Sequence, residues 1–507
     1  MNFSTYQENI FDWVENGKGN ALVQARAGSG KTYTALHSMG HMKGDVISMT
    51  LNKKNAVELQ EKIQRMGLVN SKGSTFHAEG FANYRKAQRN VKLNNSKVYF
   101  ITEKYTQKPD EMSARSFIVK LVSLAKLAGF GIDGLPEISD TKAWMDLVAH
   151  HDISLDSDLS YEEAIEIAKD VLRDSNREYR EVDFDDMIYL PLLNNLPLRQ
   201  YDWVIIDEAQ DTSAVRKIMA ERILKPGGRF LAIGDEAQAI YGFTGAENDS
   251  MDILKENFKC EEFPLPVCYR CGTSIIAEAQ KIVPDIMACE GAPVGLIRNE
   301  KYEDFTKKSA EYGLSKKDGI ICRNNAPLVS LAFALIRQGI GCRIEGRDIG
   351  KNLITLCNKW KVNDLATFTN RLVKFFEREF EKANKAKMQV LEDKMETMII
   401  LIERCQSLGQ HTVEALKNLI NGMFSDADEQ NVPNVVVLSS IHKAKGLEFD
   451  RCFILGMGQF QPSKYAVLPW MCRQELNLSY VAITRAQNEL IHITDVPTRN
   501  NNTNTEK

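Results

Sequence analysis

An apolar run, Ala21–Ala25 (ALVQA), opens into the turn Ala25–Thr32 (ARAGSGKT), and the residues that follow, TYTALHSMGH, carry a helical pattern. A buried strand that hands over to a helix through a glycine-bearing turn is the repeating unit of parallel α/β sheets, since parallel neighbours need a crossover connection. Five more short apolar runs have the same character: Trp203–Asp207 (WVIID), Phe230–Asp235 (FLAIGD), Gly319–Arg323 (GIICR), Val435–Ser440 (VVVLSS) and Cys452–Gly456 (CFILG). Helical patterns such as AVELQEKIQRMG and APLVSLAFALIRQG lie between them. The strands fall into two groups, one before Cys260 and one after it.

At 507 residues the chain exceeds one core and divides into about three or four domains of ~100–200 residues. Two stretches break the strand–helix rhythm. In the first, Ser160-Tyr-Glu-Glu163 is a capping box that opens the helix YEEAIEIAKDVLRD. In the second, long charged amphipathic patterns run with few breakers; their apolar spacing is no sustained heptad, so a packed helical subdomain is expected. The expected fold is therefore α/β, with two parallel-sheet cores that each carry a mainly helical insertion. The first core takes residues 1–84 and 179–260 around an insertion at 85–178. The second takes 261–345 and 434–497 around an insertion at 346–433, with a polar, disordered tail at 498–507.

Several classes are set aside. The first residues lack a basic start followed by an apolar run, and no stretch of about 18 apolar residues occurs, so neither a secretory signal nor a membrane span is expected. Ten scattered cysteines fit reduced thiols in a cytoplasmic setting. Cys260, Cys268, Cys271 and Cys289 do not pair as a zinc ribbon or finger would. A net charge of −4 excludes a uniformly basic coat and leaves local basic grooves open.

Two elements carry chemistry. In the turn after Ala25, the amides of Gly28, Ser29 and Gly30 at a helix N-terminus suit phosphates, Lys31 adds a positive charge near the terminal ones, and Thr32 offers a hydroxyl to Mg²⁺. In WVIIDEAQD, a strand ends in two carboxylates: Asp207 suits the metal, and Glu208 suits the attacking water as its base. A guanine-selecting switch would need an NKxD-type element, and NKKN at Asn52 lacks the aspartate.

ARAGSGKT, VIIDEAQD, GDEAQAIYGFTGA and YVAITRA occur in the order found in superfamily 1 DNA helicases of the UvrD/Rep/PcrA type, which the chain resembles from Gln7 to about Thr494. TLNKKNAVELQEKI, TFHAEGF, VDFDDMI, VCYRCGTSI, IHKAKGLEFD and ELNLSYVAITRAQ are similar to further motifs of that family, in order. The resemblance implies two RecA-like P-loop domains and accounts for Ala25, since the family's loop often starts with alanine. It implies that Gln7 reads adenine, Tyr269 stacks on it, Glu448 contacts the ribose, and Gln238 links the γ-phosphate to the DNA site. It further implies that Arg270 and Arg485 approach the γ-phosphate from the second domain. Asn52, Phe76, His77, Phe184, Tyr241, Phe243 and His442 lie in motifs that resemble DNA-binding ones; each ring also has a core reading.

Two departures stand out. Phe243-Thr244 replaces the family's common Trp-Arg, which removes a cation near the strand, and Tyr33 replaces a common arginine, leaving a ring to pack against adenine. The second insertion is short for the family. The function so implied is an ATP- and Mg²⁺-dependent helicase that moves 3′ to 5′ on single-stranded DNA and unwinds duplex junctions. The alternative is a translocase that displaces bound proteins with little unwinding. Replication or repair proteins are the implied partners, without a membrane.

Overall fold

The computed structural model describes residues 3–151, 153–155, 157–241, 249–345, 347–383, 385–425 and 435–497. Phe243, Thr244, Gly346, Pro433 and the tail at 498–507 lie outside the described residues. The chain forms two units, Met1–Val267 and Cys268–Lys507. Among the described residues no helix is long and apolar enough to cross a membrane.

The first unit is built on a six-stranded sheet in the order Ser71–Thr75, Val46–Thr50, Tyr201–Asp207, Leu224–Gly234, Asn20–Ala25, Cys260–Leu265. Every pairing is parallel. Val23, Ile205, Leu231 and Ile233 are fully buried, as unbroken apolar runs covered on both faces must be. The strand Cys260–Leu265 pairs with Asn20–Ala25, so the first unit continues past the boundary expected at 260. This edge strand escapes a hydrophobic reading because Glu261, Glu262 and Pro264 face outward, a composition that edges tolerate.

The first insertion leaves after the helix Phe76–Ala87 and returns at the strand Glu181–Val182, which pairs with Lys92–Leu93. Its helices include Lys97–Tyr105, Arg115–Ala128, Thr141–His150 and Tyr161–Arg177. The capping box is present: Glu163 N donates to Ser160 Oγ at 3.2 Å and Ser160 N to Glu163 Oε2 at 2.8 Å. Buried ion pairs tie the insertion to the VDFDDMI segment. Lys126 Nζ lies 2.6 Å from Asp183 and 2.7 Å from Asp186, and Lys97 Nζ lies 2.7 Å from Asp186. Each buried cation is met by a carboxylate, which is what keeps such burial tolerable.

The second unit holds a seven-stranded sheet, again parallel throughout: Leu296–Lys301, Ala486–Thr494, Phe449–Leu455, Asp318–Cys322, Val436–Ser440, Cys342–Glu345, Phe424–Ser425. Its insertion comprises the helices Arg347–Asn358, Leu365–Lys382, Lys385–Ser407 and Val413–Met423. Phe368, Leu372, Phe376 and Leu401 from these helices share one apolar cluster with Leu438, Phe453 and Ile491 of the sheet. The insertion is thus packed onto the core, in place of a free coiled coil. Asp393 fixes it further by accepting from the backbone N–H groups of Asn325 and Ala326, each at 2.8 Å, at the N-terminus of the helix Asn325–Arg337.

Candidate functional site

The first site forms where three parallel strands of the first unit end side by side. Gly28 (φ 68°) and Gly30 (φ 80°) take left-handed conformations that glycine adopts without penalty. They turn the chain from Asn20–Ala25 into the helix Lys31–Met39. Ser29 Oγ is buried in this turn and has no hydrogen-bond partner among the described residues. A cradle with an unpaired hydroxyl at a helix N-terminus fits an anionic phosphate chain.

Tyr201–Asp207 brings its two carboxylates to that turn. Lys31 Nζ donates to Glu208 Oε2 at 3.0 Å, and Thr32 Oγ1 donates to Asp207 Oδ2 at 2.9 Å. Hard oxygen donors of this kind suit Mg²⁺. Burial pushes the Asp207 carboxyl up to about 6; the adjacent Glu208 charge adds to the effect, and Lys31 opposes it. Glu208 itself sits at φ 57°, a left-handed conformation that costs a non-glycine residue on the order of 1 kcal/mol or more. In that conformation its carboxylate meets Lys31.

A hydrogen-bonded relay continues from Glu208. Gln210 Nε2 donates to Glu208 Oε2 at 2.6 Å, Asp235 N donates to Gln210 Oε1 at 3.0 Å, and Gln238 Nε2 donates to Asp235 Oδ2 at 2.6 Å. Gln238, expected to connect the phosphate with the strand, is therefore physically joined to Glu208. Gln210 and Asp235 were missed by sequence reasoning. A signal existed: Asp-Glu-Ala-Gln occurs twice, at 207–210 and 235–238, and the strands leading into the two copies are neighbours.

Gln7 is buried, its Nε2 donating to Thr34 Oγ1 at 3.0 Å and its Oε1 accepting from Ser4 N at 3.1 Å. A primary amide carries both donors and acceptors, the two kinds of group that a base edge calls for. Gly30 lies against it, 3.7 Å separating the glycine's would-be Cβ from Gln7 Nε2. The Tyr33 ring packs 4.3 Å from His37, centroid to centroid.

The aromatic residues expected at the strand divide. Phe76 is 2% exposed and belongs to the apolar core of the unit, so its ring is consumed by packing and the expectation of a strand contact is corrected. Phe184 is 52% exposed and stacks on the buried His77 ring at 3.8 Å and 22°. Asn52 is the N-cap of the helix Lys53–Arg65, its Oδ1 accepting from Asn55 N at 2.8 Å; that oxygen serves the helix, while the amide nitrogen stays available. Tyr241 is half-buried at the end of the described segment.

His77 is held down to about 3, first by burial and second by the nearby Arg216 charge, so its ring is neutral at physiological pH. The unfolded chain titrates near 6.5. The corresponding stability is therefore fully present above pH 6.5 and is lost as pH falls from there toward 3. The urea midpoint of the first unit's transition is expected to drop between about pH 7 and about pH 5, and His77→Gln to flatten that drop. Equal slopes for parent and variant would refute the assignment. In the second unit, His442 on the short helix Ile441–Ala444 is likewise held to about 3, by burial and then by Arg323 and Lys445. Neither ring can serve as a cation toward phosphates.

The second unit gathers its own set. Arg270 Nη1 donates to Thr484 O at 3.0 Å, and its Nη2 pairs with Glu448. Tyr269, beside it, is 46% exposed. Arg485 is 1% exposed: Nε donates to Val481 O at 3.0 Å, Nη1 to Leu447 O at 3.0 Å and Nη2 to Thr484 Oγ1 at 3.3 Å. Burial, with Arg270 next, lowers it to about 10. In this conformation Arg485 braces the turn, and Arg270 presents the more accessible guanidinium.

With this geometry in view, the chain matches two family models. The UvrD/REP helicase N-terminal domain matches residues 6–259 and the UvrD-like helicase C-terminal domain residues 347–495. The chain is similar to the probable DNA helicase II homolog of Mycoplasma pneumoniae, 22% identical over 94% of this chain and 82% of that protein. It is equally similar to DNA helicase II of Haemophilus influenzae, at 22% over 93% and 81%. ATP-dependent DNA helicase Rep of Buchnera aphidicola is 21% identical over 97% of this chain and 94% of that protein.

Proposed function

The chain belongs to the UvrD/REP helicase family, and from that premise we propose that it is an ATP-dependent DNA helicase that translocates 3′ to 5′ along single-stranded DNA. The observation that carries the reading is the paired contact of Lys31 with Glu208 and of Thr32 with Asp207, which joins a phosphate cradle to a carboxylate pair. Mg²⁺, held by Thr32 and Asp207, would supply neutralisation of phosphoryl charge. Lys31 holds the terminal phosphate, Glu208 orients water and takes its proton, Arg270 offsets the charge that builds on the transferred group, and Arg485 braces the second unit's set from within. Gln7, Tyr33, Tyr269 and Glu448 hold the base and ribose. Turnover alternates the two units' grip on a strand, which converts hydrolysis into stepping.

The test is ATP turnover with and without single-stranded DNA, followed by strand displacement on 3′-tailed and 5′-tailed duplexes. Stimulation by DNA and preference for the 3′ tail are expected; equal use of both tails would remove the polarity. A second reading, a translocase that strips proteins with little unwinding, draws support from the second insertion, whose helices are spent on packing against the sheet. Protein-displacement and strand-displacement rates from one preparation separate the two. Replication or repair proteins are the proposed partners, in a cytoplasmic setting.

On the strand side we assign Phe184, Tyr241, Phe243 and the Asn52 amide as contacts, with His77 as the ring that backs Phe184. Phe184→Ala is expected to weaken single-stranded DNA binding by about 1–3 kcal/mol without moving the unfolding midpoint. Phe76→Ala should instead destabilise the fold by about 3–5 kcal/mol. Paired DNA titrations and denaturant melts check this, and a reversed pattern would overturn the division.

A further inference from the structure

Arg26, the second residue of ARAGSGKT, brings a cation to the phosphate turn beside that of Lys31. Its backbone is fixed on both sides: its N–H donates to Leu265 O at 3.1 Å, and its carbonyl accepts from Ser29 N at 3.2 Å, which opens the turn. The parallel register that sets Gln24 opposite Gly234 carries the two chains onward to Arg26 and Asp235. Arg26 Nη1 lies 3.7 Å from Asp235 Oδ1 and donates to Ala25 O at 3.0 Å. The arginine side chain is nearly buried and the aspartate fully so; a buried carboxylate is tolerated where a cation and hydrogen bonds meet it. Both of its oxygens are engaged. Oδ1 also accepts from Ala237 N at 3.2 Å, and Oδ2 accepts from Gln238 Nε2 at 2.6 Å.

That carboxylate decides how the Gln238 amide can point. An amide can face a neighbour with its NH2 group or with its oxygen, and an ionised carboxylate, which only accepts, admits the NH2 end alone. A protonated carboxyl would offer a donor as well and would accommodate the reversed amide. Burial pushes the Asp235 carboxyl up; Lys31, then Arg26 and the Gln238 hydrogen bond, oppose the rise, and the Glu208 charge adds to it. Lys31 is committed to Glu208 in this structure and to the terminal phosphate during turnover, so Arg26 is the cation that stays with Asp235. We propose that Arg26 is a positioning residue for nucleotide turnover, whose ion pair with Asp235 holds the Gln238 amide in a single orientation. The functional half of this rests on the helicase reading above and on the link to the γ-phosphate that the family resemblance implies for Gln238.

The test is a double-variant cycle on the full chain. It measures kcat and KM for ATP with single-stranded DNA, alongside thermal melts, for the parent, Arg26→Gln, Asp235→Asn and the two combined. Arg26→Gln is expected to lower kcat about tenfold with KM little changed, the mark of an interaction realised in the transition state. Asp235→Asn should lower kcat at least as far, and adding Arg26→Gln to it should cost nothing more, because the cation then has no carboxylate to hold. Arg26→Lys should recover most of the lost kcat, since a point charge satisfies an ion pair of 3.7 Å. A role confined to bracing the turn through Ala25 gives the opposite pattern, with equal losses from Arg26→Gln in the presence and absence of Asp235→Asn. That additivity, a defect confined to KM, no recovery in Arg26→Lys, or parental kcat in folded Arg26→Gln would each overturn the proposal. If Arg26→Gln alone unfolds, the combined variant, which leaves neither charge of the pair unmatched, is compared with Asp235→Asn: equal turnover upholds the proposal and a further drop overturns it. A parental chain whose ATP turnover ignores DNA would instead refute the helicase reading, and the same cycle on its basal turnover would still decide whether Arg26 acts through Asp235.

Discussion

Lys31→Ala is expected to lower DNA-stimulated ATP turnover by about 10²–10³-fold, the scale of removing one preorganised group from a developing charge. The variant should fold, because the lysine stem is not part of the core and Glu208 keeps its hydrogen bond from Gln210. Its loss does more than delete a phosphate contact. Lys31 opposes the burial and the Glu208 charge that together raise the Asp207 carboxyl; without it, that carboxyl moves further up, and the metal ligand is less often ionised. The defect should therefore ease as pH is raised well above the parental Asp207 value of about 6, whereas loss of phosphate binding alone would leave a constant deficit. Steady-state turnover across pH, alongside a thermal melt, measures both. Parental turnover in a folded variant would remove the phosphate cradle from the mechanism.

What the sequence discloses and what it withholds follow from the physics of each element. The central strands are legible because burial on two faces demands unbroken apolar runs, and the site residues stand at the ends of those runs. Asn20–Ala25 and Tyr201–Asp207 are read directly in this way. Cys260–Leu265 is not, since an edge strand obeys no such demand and this one carries two outward glutamates. The direction of a ring is equally hidden. Phe76 and Phe184 both lie in motifs of the strand side, yet the first is the opening residue of a helix and points into the core, while the second stands in a turn held by buried Asp183 and Asp186. The relay from Glu208 to Gln238 depends on two strands 20 or so residues apart becoming neighbours, a fact of sheet order that no local pattern contains. The repeated Asp-Glu-Ala-Gln marks the residues, and only the topology joins them.

The same distinction between presence and presentation separates the two arginines of the second unit. Arg270→Ala is expected to reduce turnover by about 10³–10⁵-fold, the effect of removing an arginine that meets transition-state charge. Nucleotide affinity and the melting midpoint should change little, because the side chain is bound by one carbonyl and one surface carboxylate. Arg270→Lys should rescue poorly, as an ammonium lacks the planar fork that spans two phosphoryl oxygens. Arg485→Ala must behave differently. Its guanidinium donates to Val481, Leu447 and Thr484 inside the unit, so deleting it orphans buried acceptors at about 1–3 kcal/mol each. Loss of turnover would then arrive together with loss of stability. Single-turnover rates and melts on both variants distinguish the arginine that reaches from the one that braces. An Arg270→Ala enzyme with parental turnover would assign the charge-stabilising role to Arg485, and would require the bond from Arg485 to Leu447 to break in each catalytic cycle.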